Sequence, residues 1–503
     1  MINKKIQWKG FRPLPGVLLA GAFAFSLASC DTDKVVQVVD PAQLQPGAVN
    51  SAAAVPSLVN GAFRQFVGGY SGLGDDAFVS MGVMTDEFYW GDSFTTRFAA
   101  DRRTLQPPSS GNISDTPFAR LEQARMLARR AYAAVGTFES DLDDPTDMRS
   151  ELRTTEGYVY LTMSEGWCGA VPFSNVPDAG DIDPNTIEYG DPLSTNAMNQ
   201  QAVTLFNEAI SLDGRQLAMV GKGRALLNQG LYAQAAAAVA SVPTSYVFHI
   251  EHSTNSGAEN NGITSLLDNG RYSISNLEGG QTSSGAALRP DNNVSLTATS
   301  AEGLPFRVLQ DPRLPWIARP GNGRCFTSSV FCWRNNNMPD FDSDLPLASG
   351  VEARLIEAEA ALQAGDAATM MTKLNGLRAQ AAAILPLLWP SQRQVFPPPA
   401  SGAVSLPALA DPADPTTSAA AQFAARRDLL FKERALWLYS TGHRLGDLRR
   451  LVRNYGLPQA SVFPSGPYFR GGTFGTDVNY SVPFNENVNN PKYHPEACVT
   501  TQA

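Results

Sequence analysis

Apolar positions recur at three- and four-residue intervals along much of the chain, the spacing that gathers them on one face of an α-helix. Residues 117–138 carry Phe118, Leu121, Ala124, Ala128, Ala131 and Val135 in that register. In 154–167, Tyr158, Leu161 and Glu165 fall on related faces, and 200–212 shows Val203, Phe206 and Ile210. The stretch 216–239 reads as a helix pair broken near Gly230-Leu231-Tyr232. Residues 351–364 and 367–383 form another, turning at Gly365-Asp366. Residues 423–452, with Phe423, Leu430 and Trp437 seven apart, read as the longest helix. The pattern predicts a mostly α protein.

Two of these pairs look like tetratricopeptide hairpins. Residues 225–243 (ALLNQGLYAQAAAAVASVP) have the turn, a small-residue second helix and a terminating proline, and 357–380 (EAEAALQAGDAATMMTKLNGLRAQ) repeat the plan. Ala235, Ala238, Ala358 and Ala361 let antiparallel helices approach closely. Between the helical blocks, 68–111, 172–194, 247–347 and 386–417 are rich in loop-forming residues. The last of these, with Pro397-Pro398-Pro399, reads as an extended excursion. Long loops on a helical frame are where binding surfaces are usually built.

The N-terminus departs from that pattern. Lys4, Lys5, Lys9 and Arg12 precede an apolar run, 17–27, that is too short to span a bilayer. Leu27-Ala28-Ser29-Cys30 follows and looks like a bacterial lipobox, with Cys30 as the acylation point. The expected organisation is a lipoprotein signal peptide over 1–29, a lipid anchor and flexible tether over 30–55, and one binding domain over 56–503. Acyl chains on Cys30 would hold the mature chain at a membrane without a spanning helix.

Composition narrows the function. The 503 residues are 43% apolar and 17% charged, with 42 Gly and 35 Pro, which suits a loop-rich extracytoplasmic protein. A formal charge of -9 repels a phosphate backbone, so nucleic acid is a poor partner. An oxidising compartment permits disulfides. Cys325 and Cys332 flank a hairpin-like segment and are expected to pair; Cys168 with Cys498 follows only by elimination. No Cys/His grouping has metal-ligand spacing, so no metal or cofactor is expected.

Catalytic motifs are scarce. There is no His-Glu-x-x-His, Gly-x-Ser-x-Gly or Walker loop. Residues 72–77 only faintly resemble a dinucleotide loop. His249 and His252, near Glu251, read as a solvated loop, and the carboxylate pairs Asp75-Asp76 and Asp86-Glu87 as solvated or salt-bridged. Aromatic rings beside polar groups are more informative. Phe88-Tyr89-Trp90 follows Thr85-Asp86-Glu87, Trp316 lies among prolines, and Trp333 precedes Asn335-Asn336-Asn337. A ring face that covers C–H surface, with amides or charges for hydroxyls, grips a neutral polar ligand. Trp90 is the leading candidate contact, followed by Asp86, Arg97, Trp316 and Trp333.

In order along the chain, these pieces resemble the SusD/RagB family of outer-membrane nutrient-binding lipoproteins. The matching segments are VNGAFRQF (59–66), TDEFYWGD (85–92), ELRTTEGYVYLTMSEGWCGAVPF (151–173), RYS (271–273), LQDPRLPW (309–316), VEARLIEAEAALQAGD (351–366) and KERALWLYSTGHRLGDLRR (432–450). In the last, Glu433, Arg434, Gly442, Arg444, Asp447 and Leu448 fall in register, while Trp437 and Thr441 stand where the family usually has glutamates. Glu433, Arg434, Arg444 and Asp447 read as a structural ion-pair network. The resemblance implies a helical body with four tetratricopeptide-like pairs and a loop-built ligand face. It further implies a surface-exposed outer-membrane protein whose partner is a TonB-dependent, SusC-like transporter barrel. Its expected ligand is an oligosaccharide or other nutrient, bound without catalysis. Peptide binding, an envelope assembly scaffold without a small ligand, and a surface glycosidase are the alternatives.

Overall fold

The computed structural model describes residues 51–503 apart from 73, 176–185, 276–303, 305, 308, 310, 322, 329–331, 394–403 and 469. The leader, Cys30, most of the tether and the proline run at 397–399 lie outside the described residues.

Helices dominate, and many start where a short polar side chain caps free backbone donors. The first five are α1 (Val55–Tyr70), α2 (Ala77–Val83), α3 (Thr95–Asp101), α4 (Asp115–Thr137) and α5 (Pro145–Gly166). They are followed by α6 (Thr195–Asp213), α7 (Gln216–Asn228), α8 (Tyr232–Val239), α9 (Gly262–Asp268) and α10 (Gly350–Gln363). The last five are α11 (Ala367–Ala379), α12 (Ala381–Leu388), α13 (Ala419–Trp437), α14 (Arg444–Arg453) and α15 (Phe484–Asn489). Asp76, Asp144, Ser194, Asn261, Ser349, Asp366 and Ser418 each accept a hydrogen bond from the backbone N–H three residues on. Each such cap stabilises a helix start by about 1 kcal/mol.

Successive helices pack as neighbours: α1 on α4, α4 on α5, α5 on α6, α6 on α7, α7 on α8, α8 on α10 and α10 on α11. The two hairpins read from the sequence are α7–α8 and α10–α11. Small residues set the spacing. A Cβ on Gly157 or Gly221 would come within 2.7 or 2.5 Å of the Phe206 ring, so α5 and α7 close on α6 only because both positions are glycine. The stack is capped by short antiparallel ribbons. These are β1 (Phe88–Trp90) with β5 (Tyr272–Ile274), β2 (Val171–Pro172) with β3 (Pro192–Leu193), β4 (Val247–Ile250) with β8 (Leu345–Ser349), and β6 (Trp316–Ala318) with β7 (Trp333–Asn335).

Two readings of the pattern are corrected. Residues 423–452 are two helices, α13 and α14, because Ser440 and Gly442 take left-handed backbone conformations (φ +56° and +75°) that end one helix before the next begins. The residues around His249 and His252 do not form a solvated loop. His249 lies on β4 with Nε2 3.1 Å from the Leu388 carbonyl. His252 is buried, with Nδ1 3.1 Å from the Glu259 carbonyl and Nε2 3.3 Å from Ser71 Oγ. Burial first of all pushes the His252 pKa down to about 4, so the imidazole is neutral at pH 7.

Inside the stack, charged side chains pair with one another. Arg434 makes a two-bond contact with Asp447 (2.8 Å each), and Arg450 bonds Asp447 (2.9 Å) and Glu359 (2.9 Å). Glu433 accepts from Arg313 (2.7 Å) and Arg378 (2.8 Å), Asp86 from Arg444 (2.6 and 2.7 Å), and Glu352 from Arg224 (2.6 Å). The sequence signature at 432–450 is thus an interlocking ion-pair network joining α10, α13, α14 and the segment before β1. Two disulfides close the outer parts: Cys325–Cys332, seven residues apart, and Cys168–Cys498, which ties the C-terminal segment to the end of α5.

Candidate functional site

Two of the exposed large apolar residues, Phe94 and Phe326, lie near the end of β1. Pairing of β1 with β5 sets Trp90 opposite Tyr272. The chain then turns through Gly91, whose missing side chain is required: a Cβ there would sit 2.7 Å from the Gly270 carbonyl and 2.9 Å from Cys325 Sγ. Asp92 follows, fully buried, and acts as the common acceptor of the turn. It takes the Trp90 indole N–H, the Phe94 backbone N–H at 2.9 Å and the Arg97 guanidinium, with Arg271 Nη1 3.6 Å away. Arg97 also bonds Asp75 at 2.9 Å, and Asp75 accepts from the Tyr272 hydroxyl at 2.7 Å. Asp101, at the end of α3, accepts from the Trp90 backbone N–H at 2.8 Å and from the Tyr468 hydroxyl. Burial pushes Asp101 up to about 7 despite those donors.

These bonds fix a group of rings and guanidiniums at the surface. Phe94 and Phe326 are 54% and 51% exposed, unusual for phenylalanine. Arg271 lies 3.5 Å from the Phe326 ring centre and 5.6 Å from that of Phe94, and Arg97 lies 4.9 Å from Phe94. The half-buried Trp90 packs on Phe98 (centroids 4.9 Å apart) and carries Arg470 at 3.9 Å. Phe326 sits in the loop closed by Cys325–Cys332, anchored by its N–H to the Gly270 carbonyl (2.9 Å) and by Thr327 N–H to the Gly91 carbonyl (3.2 Å). The disulfide loop, β1 and β5 therefore hold the two exposed rings and Arg271 in one fixed patch. Exposed aromatic faces beside guanidinium donors suit a ligand with C–H faces and hydroxyls.

No family model and no curated relative matches the chain. Solved structures do. A SusD superfamily protein from Bacteroides fragilis superposes with a TM-score of 0.56 at 13% identity, over 88% of this chain and 99% of that one. A SusD superfamily protein from Bacteroides vulgatus gives 0.54 at 12% identity, over 89% and 99%. A laminarin-binding SusD-like protein gives 0.53 at 15% identity, over 88% and 100%. This chain has the SusD fold.

On that fold, the five ligand candidates named from sequence divide. Trp90 and Arg97 meet in the surface cluster. Asp86 does not: it is 0% exposed, its two oxygens are taken by Arg444, and Leu304 N–H adds a third bond at 2.8 Å. Its place is in the ion-pair network. Trp333 is likewise 1% exposed, on β7, where its N–H bonds Ser273 Oγ of β5 (2.9 Å) and Arg307 covers its ring at 3.5 Å. It braces the ribbon beneath Tyr272. Trp316 is half-buried on β6, with Arg307 5.8 Å from its ring. Asn335, Asn336 and Asn337 are buried; Asn335 Oδ1 accepts from the Asn337 N–H, and the Asn336 and Asn337 amides donate to the Arg393 and Arg313 carbonyls. Asp75 holds Arg97, Asp76 caps α2, and Glu87 accepts from the Ser440 N–H at 3.2 Å. These carboxylates are therefore engaged in structural roles.

Sequence reading missed Asp92, Phe94, Arg271, Phe326 and Arg470 as site residues. For Phe326 a signal existed: a large apolar residue inside a six-residue loop between paired cysteines has no core to enter. Arg271 opens the RYS segment noted in the resemblance, but without a role; Arg470 comes from a segment remote in sequence and carries no local mark. Among the described residues, no group of three or more His, Cys, Asp or Glu could hold a metal ion, and no helix is long and apolar enough to cross a membrane.

Proposed function

We propose that this protein is a lipid-anchored outer-membrane binder that captures oligosaccharides on the Trp90–Phe94–Arg97–Arg271–Phe326 face without transforming them. It then passes them to a SusC-like, TonB-dependent transporter barrel. The observation that carries the reading is the pair of half-exposed phenylalanines, held beside Arg271 by a disulfide loop and by the buried Asp92 hub. Rings so placed offer flat apolar faces for sugar rings, and the guanidiniums offer hydroxyl-directed donors. Trp316, on the separate β6–β7 ribbon, is a secondary contact. A laminarin-binding protein of the same fold supports a glycan ligand, and the lipobox at Cys30 supports anchoring. Confinement to the membrane plane raises the effective concentration of barrel and binder, so a moderate interface suffices.

Two experiments test it. Titration calorimetry with neutral oligosaccharides, laminarin fragments first, and with a peptide mixture should give saccharide binding alone; peptide binding alone would replace the ligand class. Purification from detergent-solubilised envelopes should recover an acylated chain with a large β-barrel partner. An unacylated chain without a barrel would refute the anchoring and hand-off.

A further inference from the structure

A cavity of about 400 Å³ lies where the C-terminal segment crosses the ends of three helices. That volume falls within the range of small-molecule sites. The Cys168–Cys498 disulfide fastens the segment to the turn after α5, and the Val478 N–H to Thr500 carbonyl bond (2.8 Å) secures it. Val499 and Gln502 form one wall, Thr195 and Asn196 of the first turn of α6 another, and Arg449 and Arg453 of α14 the third. Gly169, Asn199, Asn228 and Ala503 also line it, and no lining side chain is aromatic or acidic.

Two arginines of α14 dominate the charge of this cavity. Arg449 is 1% exposed. Its Nη1 donates to the carbonyls of Ser164 (2.9 Å), Glu165 (2.7 Å) and Trp167 (3.2 Å), which caps α5, while its Nε is buried without a partner. Arg453 is partly buried and its Nε also lacks a partner. Among the described residues neither guanidinium forms an ion pair. The nearby Glu165 carboxylate, bonded by Asn228 Nδ2 at 2.8 Å, offsets part of the charge of both arginines without a direct ion pair to either. Burial and then Arg453 hold the Arg449 pKa well below its usual range; burial and then Arg450 push Arg453 down to about 10. Both remain guanidinium at neutral pH, and Glu165 relieves only part of their mutual repulsion. The N-terminal end of the 19-residue α6 adds positive potential to the same space.

We propose that this cavity is a second ligand site, distinct from the aromatic face, that binds a hydroxylated oxyanion of about monosaccharide size through Arg449 and Arg453. Amide and hydroxyl groups of Thr195, Asn196 and Gln502 suit ligand hydroxyls, and the lack of a ring platform disfavours neutral sugars. The oxyanion is a carboxylate or a sulfate, two chemistries that arginine takes by the same paired N–H geometry.

Calorimetry on the folded chain with D-glucuronate, D-glucose 6-sulfate and D-glucose tests this. At least one of the two anions should bind at one site, the tighter naming the oxyanion, and glucose should not bind there. Arg453→Gln should weaken the anion at least about tenfold with an unchanged melting temperature, since Arg453 holds no other bonded group. Arg453→Lys should restore part of the affinity. Phe94→Ala with Phe326→Ala should leave the anion unaffected, which separates this test from that of the aromatic face. Failure of both anions to bind the wild-type chain, equal binding of glucose in this cavity, or undiminished anion binding by Arg453→Gln would overturn the proposal.

Discussion

The α10–α13–α14 junction and the β1–β5 surface cluster are built from the same residue types and do opposite things. In the junction, Arg434, Arg450, Asp447 and Glu359 are buried and mutually bonded, so no face is left for a ligand. In the surface cluster, the buried acids Asp92 and Asp101 gather a turn, and Phe94, Phe326 and Arg271 around it keep open surface. A buried arginine–carboxylate pair positions the chain; an arginine against a half-exposed ring leaves donors and an apolar face for something else. Burial, more than residue type, separates scaffold from site, which is why Asp86 and Arg97, both plausible contacts by sequence, part company.

Breaking the junction should have the largest effect. Asp447→Ala leaves Arg434 without its two-bond partner, and should cost about 3–5 kcal/mol in chemical or thermal unfolding. A loss under about 1 kcal/mol would mean that the network contributes little. Removing the Cys325–Cys332 bridge by paired serine substitution closes a smaller gap. With six residues between the cysteines, it should cost about 2 kcal/mol of stability and also weaken saccharide binding by releasing Phe326. Trp90→Ala should leave the fold standing and weaken saccharide binding about tenfold, ~1.4 kcal/mol, by calorimetry.

Acid–base behaviour should sharpen the contrast further. At Glu352, burial is outweighed by Arg224 and then His443, which hold the carboxyl at about 2, below its ordinary 4.5. Its stabilisation is complete above pH 4.5 and is lost as pH falls towards 2. Asp101, beside Trp90, lies at about 7, above its ordinary 3.8, so its contribution has the opposite sign and is lost as pH rises from about 4 to 7. Melting curves of Asp101→Asn should lose that second slope and keep the first.

The helical stack was legible because α4, α6, α7 and α10 present regular apolar stripes, and because Gly230 and Gly365 mark real turns. The break between α13 and α14 was not, since Leu438, Tyr439 and Leu445 continue an apolar pattern across residues whose backbone turns left-handed. Of the surface cluster, Trp90 and Arg97 were legible as local neighbours. Phe326, Arg271 and Arg470 were not, because pairing across roughly 180 to 380 residues is set by ribbons and a disulfide, which leave no periodic trace.

The central claim, that the ring-and-guanidinium face is where saccharide binds, is tested most directly by one titration. Wild type and Phe94→Ala with Phe326→Ala are compared for the neutral oligosaccharide that binds best. Both rings are half-exposed and outside the core, so the melting temperature should hold while affinity falls at least about tenfold. Equal affinity in the two proteins would contradict the account.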